Sequence, residues 1–326
     1  MHILQKQPNK DFTVLNLTDP QLSDSEWAEG HGHRRILEYT VNELVKRVKP
    51  DLITISGDLA WAGHDLSYDN LARLIDSFGI PWAMVWGNHD NQNGQEYIDG
   101  VASRYMTYKS CIYEKGDPTL GGGNYVIRIE KNGAPVSAII MADSHDRDPY
   151  VDEDGNEKLS WARLTPMQAE WLKNVCDELK ADGYDDATLL LHIPIYAYRK
   201  ASAAAYKEGL DLLSITNEES MGESCWNDGY TDSIGVQYEE VSSYCGEDGI
   251  FDLIKDGGII KRVVCGHDHV NNWIIRYEDI DLIYSLKTGP GCYWRQNLSG
   301  GTTLTFGNNK TVKVRHEYVD TSDIVN

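Results

Sequence analysis

Apolar and polar positions follow two rhythms along this chain. Short, almost continuous apolar runs occur at "FTVLNL", "DLITIS", "WAMVW", "SAIIMA", "ATLLL" and "RVVC", the signature of strands buried on both faces. Between them, "RRILEYTVNELVKRV", "LSYDNLARLIDSF" and "TPMQAEWLKNVCDELKA" repeat apolar residues at spacings of three and four, which predicts helices with one buried face. Thr165 followed by Pro166 predicts a helix start, because threonine caps free N–H groups and proline suits the first helical position. Strand alternating with helix predicts an α/β sheet. From Trp273 the rhythm changes to short alternating segments, "NWIIRY", "DLIYSL", "TTLTF" and "TVKVRHEYV", so antiparallel strands are expected there, with a hairpin turn at 307–309. Two stretches show neither rhythm: "RDPYVDEDGNEKLSW" and the span 198–249. The second is read as a loop over a site or as a peripheral insertion.

Composition narrows the function classes. The chain has 326 residues, 41% hydrophobic and 25% charged, ordinary values for a globular protein. No apolar stretch reaches the roughly 20 residues of a membrane span, and the N-terminus has no signal-peptide pattern, so a soluble cytoplasmic protein is expected. Six cysteines lie scattered without CxxC spacing, which argues against a zinc ribbon; Cys265 and Cys292 are read as packing residues. A formal net charge of -21 repels polyanions and opposes general nucleic-acid binding. Binding a phosphate would require metal ions or a small basic pocket.

Candidate chemistry gathers where the apolar runs end. "FTVLNL" leads to Asp19 and Gln21, "DLITIS" to Gly57-Asp58, and "WAMVW" to Gly87-Asn88-His89-Asp90. "ATLLL" leads to His192, and "RVVC" to Gly266-His267-Asp268-His269. In open α/β sheets the carboxyl ends of strands form the ligand crevice, so these groups are expected to converge. A terminal Asp alone is ordinary turn chemistry, but a turn does not call for histidine. Carboxylate, amide and imidazole together suit Mn, Fe, Zn or Co, and the set exceeds what one four-coordinate ion needs. Two ions bridged by a shared ligand are therefore expected.

The order Asp19, Gly57-Asp58, Gly87-Asn88-His89-Asp90, His192, Gly266-His267-x-His269 resembles the calcineurin-like metallophosphoesterase superfamily. "LLLHIPIYAY", "GVQYEEVSS", "GHDHVNNW" and "YSLKTGPGCY" are similar to its purple-acid-phosphatase-like branch. The resemblance implies one domain over 1–326, an α/β fold built as a four-layer α/β/β/α sandwich with mixed sheets, and a loop or insertion near 198–249. It implies two divalent or trivalent ions, Mn, Fe, Zn or similar, bridged by Asp58. Asp19, Gln21 and His269 would complete the first site, and Asn88, His192 and His267 the second. Activity would be hydrolysis of a small phosphomonoester or phosphodiester by a metal-activated hydroxide. His89 would assist the leaving group and Asp90 would orient its ring. The alternative is a catalytically weak metal- or nucleotide-binding sensor on the same fold.

Gln21 departs from this pattern, since many members have histidine there. The tyrosine that purple acid phosphatases place three residues after the bridging aspartate is here Trp61, whose indole cannot ligate. Gln21 is thus either a neutral, weaker ligand or a hydrogen-bonding residue. His145 after "IIMAD" is read as a turn residue, and His31, His33 and His64 as loop residues. Tyr196, Tyr198 and Arg199 are candidate pocket walls. Trp27, Trp61, Trp226 and Trp294 are assigned to the core by default.

Overall fold

Each apolar run pairs into a sheet in the computed structural model, which describes residues 2–207 and 226–325. The middle of the 198–249 span lies outside the described residues. Strands β1 (His2–Gln5), β2 (Phe12–Leu17), β3 (Leu52–Ser56), β4 (Trp82–Val85), β5 (Tyr125–Lys131) and β6 (Ala134–Met141) occupy the first half. A hairpin of β7 (Arg147–Val151) and β8 (Glu157–Trp161) precedes β9 (Ala187–Leu190), β10 (Ile260–Cys265), β11 (Ile274–Tyr277), β12 (Ile280–Tyr284), β13 (Gly300–Phe306) and β14 (Val312–Tyr318). A seven-stranded sheet has the order β1-β5-β6-β9-β10-β12-β11, and a five-stranded sheet the order β14-β13-β2-β3-β4. Both are mixed: β2-β3-β4 and β6-β9-β10-β12 are parallel, whereas β13 runs against β2 and β14.

Alternation along the seven-stranded sheet divides its side chains between two cores. Ile139, Met141, Leu190, Val264 and Ile283 pack with Val14, Ile53, Ile55 and Met84 of the other sheet. Their neighbours Ala138, Ile140, Leu189, Val263 and Leu282 pack with a second cluster on the opposite face. Helix α1 (Gly32–Val48), α2 (Asp65–Asp76), the single turn α3 (Asn88–Asn91) and α4 (Gly94–Tyr105) follow strands of the five-stranded sheet. Leu37 and Val41 of α1 and Leu71 of α2 join the first core. Helices α5 (Pro166–Ala181), α6 (Ala197–Ala205) and α7 (Ile250–Gly257) supply Leu172, Ala201 and Ile254 to the second. The result is a mixed α/β fold of helices over two facing sheets, as expected. Each fully buried aliphatic side chain adds roughly 1.5–3 kcal/mol relative to exposure, so a strand buried on both faces is held twice over.

The segment "RDPYVDEDGNEKLSW", read as irregular, is the β7–β8 hairpin, paired from Arg147↔Trp161 to Val151↔Glu157. Its apolar residues face solvent, Val151 at 64% and Leu159 at 68% exposure, so no burial rhythm marks it in the sequence. Asp152 closes its turn by accepting the N–H groups of Asp154 and Asn156 through Oδ1. The span 198–249 opens within α6 rather than as loop.

Candidate metal centre

Five strands from both sheets carry the candidate groups to one end. Asp19, Asp58 and Asn88 follow β2, β3 and β4; His192 follows β9, and His267 and His269 follow β10. Asp19, Asp58, His192, His267 and His269 are all buried, and ligand-type atoms of Asp19, Asp58 and His269 lie within 4.8 Å of one another. His269 Nε2 is 3.1 Å from Asp19 Oδ1, and His192 Nε2 is 3.3 Å from Asp58 Oδ1 and 3.0 Å from Asn88 Oδ1. His192 and His267 rings lie 5.1 Å apart.

Local backbone geometry explains how the groups reach this position. Asp19, Gln21, Asp58 and His267 all have positive φ, of 50°, 34°, 48° and 75°. Non-glycine residues in this region cost of order 1–3 kcal/mol each and collect at functional sites. Gly57, at φ 87°, leaves no room for a Cβ: one would sit 2.5 Å from His192 Nδ1. A Cβ on Gly266 would overlap Thr18 Oγ1 and lie 2.6 Å from Asp19 Oδ2. These glycines permit the turns and the close packing behind the site.

The donor chemistry fits divalent cations. His192 Nδ1 faces Ser56 O at 2.8 Å and His269 Nδ1 faces Tyr293 O at 2.9 Å, so each Nδ1–H donates outward and each Nε2 faces the cluster, where it offers a lone pair once its proton is displaced. His267 Nε2 is buried without a hydrogen-bond partner, an unfavourable state that a cation would relieve. Burial alone would raise the Asp19 and Asp58 carboxyls, but His269 beside Asp19 and His192 beside Asp58 outweigh it and hold both below the usual range. His192, resisting burial through Asp58, is raised to about 9. Burial and the neighbouring His192 push His267 well below its ordinary value. A bound cation would take the place of protons in this cluster.

Asp90 does not orient His89. Its carboxylate is buried and accepts the N–H groups of Leu59 and Gly87 and the Tyr68 hydroxyl, at 3.2, 2.7 and 2.7 Å. Burial and nearby Asp58 raise it to about 7. Successive residues of the turn α3 point in different directions, so Asp90 turns back into the fold while His89 turns out. The His89 ring instead meets Gln92 Nε2 at 3.0 Å through Nδ1 and packs 4.2 Å from the Trp61 ring. Gln21 is buried at the site, and its Nε2 lies 3.2 Å from Asp58 Oδ2.

Several other candidates lie apart from the cluster. His145 bonds Gln168 at 2.8 Å, as a turn residue does; His33 pairs with Glu26, His31 caps α1, and His64 accepts from Asp24 N. Tyr198 is no pocket wall: it is fully buried, with its hydroxyl donating to the Val263 carbonyl at 2.9 Å and accepting the Ile283 N–H at 3.1 Å. Arg199 is held by Ser243.

A family model described as calcineurin-like phosphoesterase matches residues 12–271. The chain belongs to this family. Phosphatase DCR2 of Saccharomyces cerevisiae is 26% identical over 92% of this chain and 51% of its own length. An Arabidopsis thaliana protein named probable inactive purple acid phosphatase 28 is 24% identical over 79% of this chain and 63% of its own. The chain thus spans about half to two thirds of these relatives. Among solved structures, a dimetal phosphatase from Danio rerio superposes with a TM-score of 0.54 at 14% identity, covering 90% of this chain and 92% of its own. A purple acid phosphatase from yellow lupin seeds gives 0.53 at 11% identity, covering 98% and 55%. Both show the metallophosphoesterase fold.

In this phosphoesterase-family chain, the residues that sequence reasoning missed are mostly rings laid against histidines. Trp161 of β8 packs 4.2 Å from the His267 ring, and Tyr293 stacks 4.3 Å from that of His269. The Arg147 guanidinium covers the Trp161 ring at 3.4 Å and lies 3.8 Å from Asp146 Oδ1. Lys287, buried just after β12, donates to Asp19 O at 3.1 Å. A lysine inside the apolar segment "YSLKTGPG" was the available signal for Lys287; nothing in the local pattern marks the rings.

Proposed function

We propose that this family member is a dinuclear-metal phosphoesterase acting on a small phosphomonoester or phosphodiester. The observation that carries this reading is the buried cluster of Asp19, Asp58 and His269, set beside Asn88, His192 and His267, whose Nε2 is buried without a hydrogen-bond partner. Asp19, Asp58 and His269 would hold one ion, and Asp58, Asn88, His192 and His267 the other. Such ions, when bound, supply positive charge for the phosphoryl oxygens and activate water near neutral pH. His89, outside the inner cluster and steadied by Gln92 and Trp61, donates a proton to the leaving-group oxygen. Arg147, held over Trp161, adds charge attraction for an anionic ester at the rim. The net charge of -21 would otherwise repel that ester.

The test is hydrolysis of an aryl phosphate and an aryl phosphodiester after loading with Mn or Fe. Metal-dependent turnover of either is expected, and absence of both overturns the reading. A catalytically weak metal- or nucleotide-binding sensor is the second reading, favoured by Gln21 presenting its amide nitrogen to Asp58. Metal binding without turnover would select it.

A further inference from the structure

Gln21 stands where the resemblance implies histidine in many members, and its neighbours determine what its amide can do. Gln21 and Lys287 are both buried, at 0% and 3% exposure. Lys287 Nζ lies 3.5 Å from Gln21 Oε1 and donates to the Asp19 carbonyl at 3.1 Å. On the other side, Gln21 Nε2 donates to Asp58 Oδ2 at 3.2 Å. An ionised carboxylate only accepts hydrogen bonds, and a lysine ammonium only donates. One orientation of the amide satisfies both neighbours: oxygen toward Lys287, nitrogen toward Asp58. The reverse would set oxygen against carboxylate and N–H against ammonium, leaving buried polar groups on both sides without a hydrogen bond from the amide.

The backbone holds this arrangement. Gln21 has positive φ and its N–H donates to Asp58 O at 3.2 Å, so the two loops after β2 and β3 are tied. A Cβ on Gly291 would overlap Gln21 O, so the segment after Lys287 packs directly on Gln21. Swinging the amide oxygen inward therefore means breaking the Lys287 contact in a packed site.

We infer that Gln21 is not a ligand of the first ion but a bracket between Lys287 and Asp58, which leaves that ion Asp19, Asp58 and His269 as protein donors. This rests on the metal-centre reading and deepens it. The second site has four protein donors, Asp58, Asn88, His192 and His267. The first has three, with Lys287 holding the Gln21 amide oxygen to itself instead of leaving it as a fourth donor. The two sites consequently fill in sequence, the second at lower free metal, and first-site occupancy follows the supply of divalent cation.

Metal binding itself provides the test. The full chain is stripped with a chelator and titrated with Mn(II) by calorimetry, and ions retained after dialysis are counted by elemental analysis. Two steps separated by about tenfold or more in Kd are expected. Lys287→Met, which frees the amide oxygen, should tighten the weaker step by about tenfold and leave the tighter step unchanged. Gln21→His, which keeps the lysine, should tighten the same step and serves if Lys287→Met does not fold. Two equal steps in the wild type, or an unchanged weaker step in the folded variants, would overturn the inference. A wild-type chain that binds no Mn(II) would overturn the metal-centre reading itself, and this inference with it.

Discussion

At the scale of single residues, the proposed metal-holding and proton-donating roles differ in position relative to the buried carboxylates. Asp58 is enclosed, and its oxygens face His192 and Gln21. Asp58→Asn should therefore lose bound metal and phosphoesterase activity together, as read by elemental analysis and aryl phosphate turnover. His89 projects its ring outward against Trp61 and Gln92. His89→Ala should keep the metal but lower turnover by roughly 10²–10⁴-fold, the usual range for a general acid. Retained turnover in that variant would remove His89 from the reaction. The residue types expected at the site were legible because histidine after a buried strand is poorly explained by turn chemistry. The partner of His89 was not legible: the resemblance implied Asp90, whereas the direction of the turn selects Gln92.

At the scale of elements, legibility followed burial. β2, β3, β4, β9 and β10 are enclosed on both faces and appear in the sequence as continuous apolar runs. The β7–β8 hairpin is largely exposed, so its strands carry no such run, although its Trp161 packs on His267. The start of α5 was also legible, because capping is local chemistry. Thr165 Oγ1 accepts Gln168 N at 3.2 Å, and Gln168 Oε1 accepts Thr165 N at 2.9 Å, a reciprocal capping box opening α5. Gln168 Nε2 also donates to Asp143 O at 2.6 Å and Asn124 Oδ1 at 3.0 Å, fastening the helix to the turn after β6. Thr165→Ala should cost about 1 kcal/mol in denaturant unfolding with metal content unchanged. Gln168→Ala should cost more, about 2–3 kcal/mol, because it also strands buried partners. Equal losses would mean that only the cap matters.

At the scale of the whole molecule, the order of strands was beyond local pattern, since apolar rhythm says that a strand is buried but not beside which neighbour. One link between the sheets suggests a stability test. His316 of β14 faces Asn272 O through Nε2 at 2.6 Å and Thr302 Oγ1 through Nδ1 at 3.0 Å. Thr302 in turn meets Ser285 Oγ at 3.0 Å, just beyond β12 of the other sheet. Burial lowers His316 to about 4, against a weaker upward pull from the Asn272 carbonyl. Its folded value thus lies below the unfolded one, and between about pH 6.5 and 4 the unfolded chain binds more protons at this residue. The stability contribution is full above pH 6.5 and is lost as pH falls toward 4. One pKa unit corresponds to about 1.4 kcal/mol; the His316 ring is enclosed but the residue as a whole is only half-buried, so the shift is discounted to a loss of about 1–2 kcal/mol. His316→Gln can still donate to Asn272 O but does not titrate. Unfolding free energies of the two chains measured from pH 7 to pH 4 should therefore converge as the pH falls, and parallel curves would show that His316 does not couple the junction between the sheets to pH.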